Sequence, residues 1–233
     1  MATPTATAPL SWRRDVPVPV NDAATDGTVH PRYEHFLCSS DPALIQLDAL
    51  GAAMASDLLW WASPLEPETL AALVANSVCL GVYHLQNAED ERGAMVGFAR
   101  LATDRVTFAY LTDVYVLPAY QRRGLGAWLM ECLRALVAGG SVPGDADGAT
   151  ASKPGWPHLR SLWLIASTPA AARMYTRTLG TEAVARYRST PGEPNSGMIL
   201  LEMVGPSSGM RTLMKKEKKQ RETAAEKGDG SVV

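Results

Sequence analysis

Apolar and polar positions run along the chain in short stretches whose period switches between two and about 3.6. Residues 32–40 read as a strand, and residues 42–55 as a helix with Leu44, Leu47, Leu50 and Met54 on one side. A second short helix is predicted over 67–77, where Leu70, Leu73 and Val74 follow Pro67 at helical offsets. β-rich runs follow at 78–85, 94–102 and 106–117, the last two joined as a hairpin through Thr103, Asp104 and Arg105. Beyond Pro118 the spacing turns strongly helical, placing Leu125, Trp128, Leu129, Cys132, Leu133 and Leu136 on one face. Residues 160–166 form a short apolar strand, 169–179 a helix, and 182–188 and 198–204 the closing strands. The order βααβββαβαββ predicts a mixed α/β domain with helices packed on a central sheet.

Three stretches break the pattern. Residues 1–29 are rich in Ala, Thr and Pro and are expected to be a disordered arm. Their Arg13-Arg14 pair has no apolar run behind it, so an export signal is not expected. Residues 138–158 crowd Gly, Pro, Asp and Ser, which predicts a surface loop inserted in the domain. Residues 206–233 carry seven Lys/Arg against four Asp/Glu, a basic and mostly disordered tail of charge +3 on a chain of net charge -2. The folded domain is therefore expected over 30–205.

At 233 residues and 46% hydrophobic, the domain can bury a core without disulfide or metal staples. The near-neutral charge excludes a global field for nucleic acid or anionic lipid. No run of eighteen apolar residues occurs, which excludes a membrane-spanning helix. Cys38, Cys79 and Cys132 are scattered, and His30, His35, His84 and His158 lack ligand spacing, so no metal is expected. Cys132 falls on an apolar helix face, where a core thiol belongs, and is not expected to be a nucleophile.

The informative segment is 111–130, LTDVYVLPAYQRRGLGAWLM. A strand ends at Leu117, a proline breaks it, and a helix begins among glycines. The first turn of a helix has backbone N–H groups without partners at the positive end of its dipole. Glycines there let an anion approach, so Gln121, Arg122, Arg123, Gly124, Leu125, Gly126 and Ala127 read as a pyrophosphate cradle. The arginines either add charge to it or are solvated. There is no GxxxxGK[ST] loop, and GxGxxG lacks its third glycine at Leu129.

What remains, [QR]xxGx[GA] after a strand, resembles the coenzyme A signature of the GNAT acetyltransferase superfamily. The likeness covers about residues 32–204. The stretch GFARLATDRVTFAYLTDVYVLPAYQRRGLGAWLMECL is similar to small stand-alone GNAT proteins, as is Trp60-Trp61-Ala62. The resemblance implies the GNAT fold: a mixed, mostly antiparallel sheet of about seven strands flanked by four helices. It implies acetyl-CoA as cosubstrate. The pantetheine arm would lie along Val114, Tyr115 and Val116, with the Val116 N–H holding the thioester oxygen. The signature residues would meet the pyrophosphate.

The resemblance also places Tyr175 near the sulfur, as the acid that protonates the leaving thiolate or as a half-buried packing residue. Here the chain departs from the family's Y-x-x-[FL]-G-F: it has one extra residue, and Thr181 stands where an aromatic is usual. Asp113, on the strand before the cradle, is either the general base or a hydrogen-bonded structural acid. Glu131 is expected in solvent. Trp60, Trp61 and the 188–197 loop are candidate walls for the acceptor, apolar or cationic, with at least one tryptophan in the core. The expected reaction moves acetyl to a small-molecule or protein amine by direct attack in a ternary complex. The competing readings are a non-catalytic coenzyme A-binding module and a scaffold acting through the basic tail. No nucleic-acid or membrane partner is expected, the oligomer is a monomer or homodimer, and the location cytoplasmic or nuclear.

Overall fold

The computed structural model describes residues 8–18, 32–144, 155–186 and 198–208. Within them, strands β1 (Ser11–Val18), β2 (Arg32–Ser39), β3 (Val78–Leu85), β4 (Ala94–Thr103), β5 (Phe108–Val116), β6 (Ser161–Ala166), β7 (Glu182–Arg186) and β8 (Ile199–Val204) build one sheet. Its order is β1-β2-β3-β4-β5-β6-β8-β7. Every neighbouring pair is antiparallel except β5 and β6, which run parallel.

Four α-helices cover it unequally. Helices α1 (Leu47–Met54) and α2 (Pro67–Ala75) close one core with Leu37, Tyr83, Phe98 and Tyr115 of β2 to β5. Helices α3 (Leu125–Ala138) and α4 (Pro169–Leu179) close the larger core on the opposite face, among Phe36, Leu80, Leu101, Leu111, Leu162 and Leu201. The β4–β5 hairpin is tied by Asp104, whose Oδ1 accepts from the N–H groups of Val106, Thr107 and Phe108 at 2.8–3.0 Å. The Thr107 hydroxyl, donating to Oδ2, and then those backbone bonds favour the ionised form and hold the carboxyl well below the usual carboxylate range.

The first strand corrects the expectation of a disordered arm over 1–29 at residues 11–18. β1 pairs along its whole length with β2, from Ser11 opposite Ser39 to Val18 opposite Arg32. This makes eight strands where about seven are expected. Trp12 is 1% exposed and sits in the α3–α4 core beside Leu10. The two arginines are structural. Arg13 donates to the carbonyls of Ala88 and Asp90, while Arg14 bonds Glu131 at 3.2 Å and lies over the Trp128 ring. Glu131 is therefore paired rather than simply solvated. Pro17 is tolerated because β1 is the sheet's edge. Trp12→Ala is expected to cost about 3–5 kcal/mol of unfolding free energy in a denaturant titration; a residue on a loose arm would cost almost nothing.

The inserted loop is anchored at both ends. The Trp156 N–H donates to Val137 C=O at 2.7 Å, and Val142 is buried. Residues 145–154 and 209–233, with the middle of the predicted insertion and most of the basic tail, lie outside the described residues. So do 187–197, which hold the proposed acceptor loop. No described helix is long and apolar enough to cross a membrane.

Candidate active site

The site begins where the sheet comes apart. The β5–β6 ladder joins Phe108 to Ser161 through Leu111 to Leu164 and stops there, although β5 continues to Val116. Just beyond, the register of β4 against β5 slips. Phe98 faces Tyr115 but Arg100 faces Thr112, so Ala99 alone opposes Asp113 and Val114. Asp113 is the bulged residue, with φ +52°, a left-handed conformation that few residues other than glycine adopt and aspartate tolerates. The bulge reverses the alternation: Ala109 and Leu111 enter the α3–α4 core, whereas Tyr115 enters the α1–α2 core.

Backbone direction follows from the register. Gly97 faces Val116, and the Leu117 N–H donates to Val96 C=O at 2.8 Å, so Val116 lies at a non-hydrogen-bonded pair. Its N–H and C=O therefore point away from β4, into the gap before β6, and those of Val114 do the same. Tyr115 is turned the other way, toward β4, its ring packed 6.1 Å from that of Phe98. Of the three residues expected to hold pantetheine, two offer their backbone to the gap.

The turn after β5 leads to the start of α3. Arg122 (φ 63°) and the N-cap Gly124 (φ 79°) take left-handed backbone to redirect the chain. Gly124 offers no side-chain cap, and the Trp128 N–H donates to its carbonyl, so the amides of Leu125, Gly126 and Ala127 form the helix's positive end. A Cβ on Gly126 would meet only the Met174 sulfur, 3.8 Å away. The glycine therefore leaves space that packing does not require. Leu125 gives its side chain to the core. Gln121 is committed to the strand end, donating from Nε2 to Val116 C=O at 2.9 Å. Arg123 is committed to an ion pair with Glu34 and a stack over Tyr120. Arg122 is exposed.

Beside the gap lies a cavity of about 450 Å³ that brings together Trp60, Trp61, Asp113, Val114 and Tyr175. The tryptophans correct the expectation that one of them is core. They follow a single turn at Asp57–Leu59 rather than sitting on a helix, and Leu59 takes the buried place. Trp60 is 52% and Trp61 46% exposed, their rings edge-to-face at 5.6 Å. Asp113 is buried and fully engaged: Oδ2 accepts from Arg100 Nε at 2.6 Å, Oδ1 from Trp61 Nε1 at 3.3 Å and Thr112 Oγ1 at 3.1 Å. Tyr175, on α4, is 8% exposed, and burial pushes its phenol up to about 12. It stays protonated through physiological pH. The extra residue of the family motif is absorbed at the helix end, where Gly180 is left-handed (φ 69°) and Thr181 is buried.

Residues 82–178 match the family model described as an acetyltransferase (GNAT) domain. A candidate acetyltransferase of Gibberella zeae is 33% identical over 181 residues, spanning 73% of this chain and 90% of that protein. The chain belongs to the GNAT acetyltransferase superfamily. Among solved structures, a GNAT-family protein of Xanthomonas campestris is 27% identical (TM-score 0.46), over 68% of this chain and 95% of its own. A Vibrio cholerae spermidine N-acetyltransferase chimera has a TM-score of 0.50 at 10% identity, over 72% of this chain and 95% of its own. The latter shares the fold.

Membership makes the protein an acyltransferase. One part of this GNAT site escapes sequence reasoning: Arg100, the partner of Asp113. The signal is there, since a carboxylate inside a strand asks for a cation nearby and Arg100 is the one cation of β4. Asp113→Asn keeps a residue that tolerates the left-handed backbone but strands the Arg100 guanidinium, so a loss of about 3 kcal/mol in stability is expected. Chemical denaturation checks it; a rate loss at unchanged stability would make Asp113 a base instead.

Proposed function

We propose that this protein is an acetyl-CoA-dependent N-acetyltransferase, transferring the acetyl group to a primary amine by direct attack in a ternary complex. The observation that carries the reading is the gap itself, with the outward backbone of Val114 and Val116 on one side, helix amides at one end and a cavity with Tyr175 alongside. Acetyl-CoA supplies the activated acyl group. The residues fit it: the open space over Gly126 and the amides of Leu125, Gly126 and Ala127 suit a pyrophosphate, with Arg122 as the mobile charge. Val114 and Val116 would pair with the pantetheine amides.

Each residue then has a task. The Val116 N–H, preset toward the gap, donates a hydrogen bond where negative charge gathers on the carbonyl oxygen. Gln121 fixes the neighbouring carbonyl, which holds the strand end in place. Tyr175 keeps a proton available for the leaving sulfur, which a phenol raised to about 12 retains through physiological and mildly alkaline pH. Asp113, paired with Arg100, takes the role of the structural acid that shapes the bulge, and solvent in the cavity removes the amine proton. The transfer needs no acyl-enzyme: Cys38, Cys79 and Cys132 are all buried and none lines the cavity, and burial pushes the Cys132 thiol well above its usual range and Cys79 up to about 12. Initial rates at varied acetyl-CoA and amine test the order of events. Intersecting reciprocal plots are expected; parallel ones would show an acyl-enzyme.

A further inference from the structure

The acceptor's chemistry is written in the walls of the cavity. Among the described residues lining it, the one charged side chain is Asp113, and that carboxylate already holds Arg100. Among these described residues a second ammonium on the acceptor would find no unpaired carboxylate, and an acceptor carboxylate no cation. Taking an unpaired charge out of water is costly, so both kinds of molecule are disfavoured. Thr112 and Ser167 add neutral hydroxyls, and the rest of the described lining is apolar or aromatic, including Leu58, Trp60, Trp61, Ile165 and Met198.

The apolar surface does not end at the cavity. Helices α1 and α2 pack over β2 to β5, whereas α3 and α4 lie on the opposite face, so among the described residues no helix covers β6 on the α1–α2 side. Its outward residues there are Ile165, at the cavity and 40% exposed, and Trp163, 37% exposed. Two residues along a strand separate them by about 7 Å. Phe108 of β5, 39% exposed, continues the row with its ring 5.8 Å from that of Trp163. Glu202, opposite Trp163 in register, borders the row with its carboxylate accepting from Ser161 Oγ, and a contiguous exposed apolar row of this kind marks a binding face.

We propose that the acceptor is a monoamine on an extended apolar body, its amine in the cavity and its body laid along Ile165, Trp163 and Phe108. The proposal rests on the transferase reading and adds the class of amine. In the chemistry, the amine nitrogen bonds to the acetyl carbon as the carbon–sulfur bond breaks. The nitrogen loses a proton to solvent, and the sulfur leaves with one.

The test is a calorimetric titration of the full-length protein, saturated with coenzyme A, using butylamine, hexylamine, octylamine, phenethylamine, phenylalanine and spermidine. Affinity is expected to rise about three- to fourfold per methylene along the alkyl series. Phenethylamine should bind at least about tenfold more tightly than phenylalanine, and octylamine more tightly than spermidine by a similar factor. Trp163→Ser, or Phe108→Ser if the first fails to fold, should flatten the rise beyond hexylamine. A flat alkyl series, a rise that survives both substitutions, or spermidine or phenylalanine binding as well as the apolar amines would overturn the proposal and leave the transferase reading standing. Failure of coenzyme A itself to bind would remove both.

Discussion

Tyr175→Phe is expected to lower kcat by about 10²- to 10³-fold while leaving the Kd for acetyl-CoA within about twofold. The ring stays where it is, packed on the core at 8% exposure, so the fold keeps its support. What is lost is the hydroxyl, which none of the described residues hydrogen-bonds and which belongs to a residue lining the cavity. Stopped-flow thiol release and a parallel titration separate the two effects. Equal kcat in the variant would reduce Tyr175 to packing. The same substitution has a second signature. Burial raises the phenol from 10.0 to about 12, so its contribution to stability is complete below pH 10 and is lost as pH climbs toward 12. The Phe variant should therefore unfold less readily than the parent in that alkaline window.

Gly126→Asp is expected to weaken acetyl-CoA binding by about 100-fold or more and to leave the protein as stable as before, or slightly more so. In the free protein the new Cβ meets only the Met174 sulfur at 3.8 Å. A carboxylate in the first turn of a helix also complements its dipole, worth about 0.3–1 kcal/mol. In the complex the same carboxylate occupies the space over the helix amides and repels the pyrophosphate. Stability and affinity thus move in opposite directions, which a merely structural glycine would not produce. Gly124 behaves differently: its left-handed backbone (φ 79°) makes Gly124→Ala a loss of about 1–2 kcal/mol in stability.

How far the sequence discloses this site depends on how local each feature is. β3 and α4 can be read from the chain because their periodicity and their flanking Ser, Thr, Pro and Gly residues are local. The cradle is legible for the same reason, as a strand, a break and a glycine-led helix adjacent in sequence. α1 begins at Leu47 rather than near Pro42 because Gln46 is extended, its side chain bonding Gly93 C=O and the Met95 N–H across the fold. β1 hides because one large apolar residue, Trp12, stands among arginines and a proline, and only pairing with β2 makes it a strand. Asp113 depends on the bulge. Its left-handed backbone, its Arg100 partner and the reversal that divides Val116 from Tyr115 all come from a one-residue slip that no local pattern encodes. Trp60 and Trp61 face the cavity together because the chain there is a turn, a distinction helical periodicity does not make.

The most direct measurement is thiol release from acetyl-CoA by the full-length protein with hexylamine, octylamine and phenethylamine, counted against acetylated amine by mass spectrometry. Transfer at the β5–β6 gap requires one free thiol for each acetylamide formed, at a rate well above the protein-free control. It also requires that rate to fall in Tyr175→Phe, with acetyl-CoA affinity retained. Tight acetyl-CoA binding without release for these amines, polyamines, amino acids or lysine peptides would describe a coenzyme A-binding module. Absence of acetyl-CoA binding would contradict the cradle at Gly124–Gly126 and the transferase together.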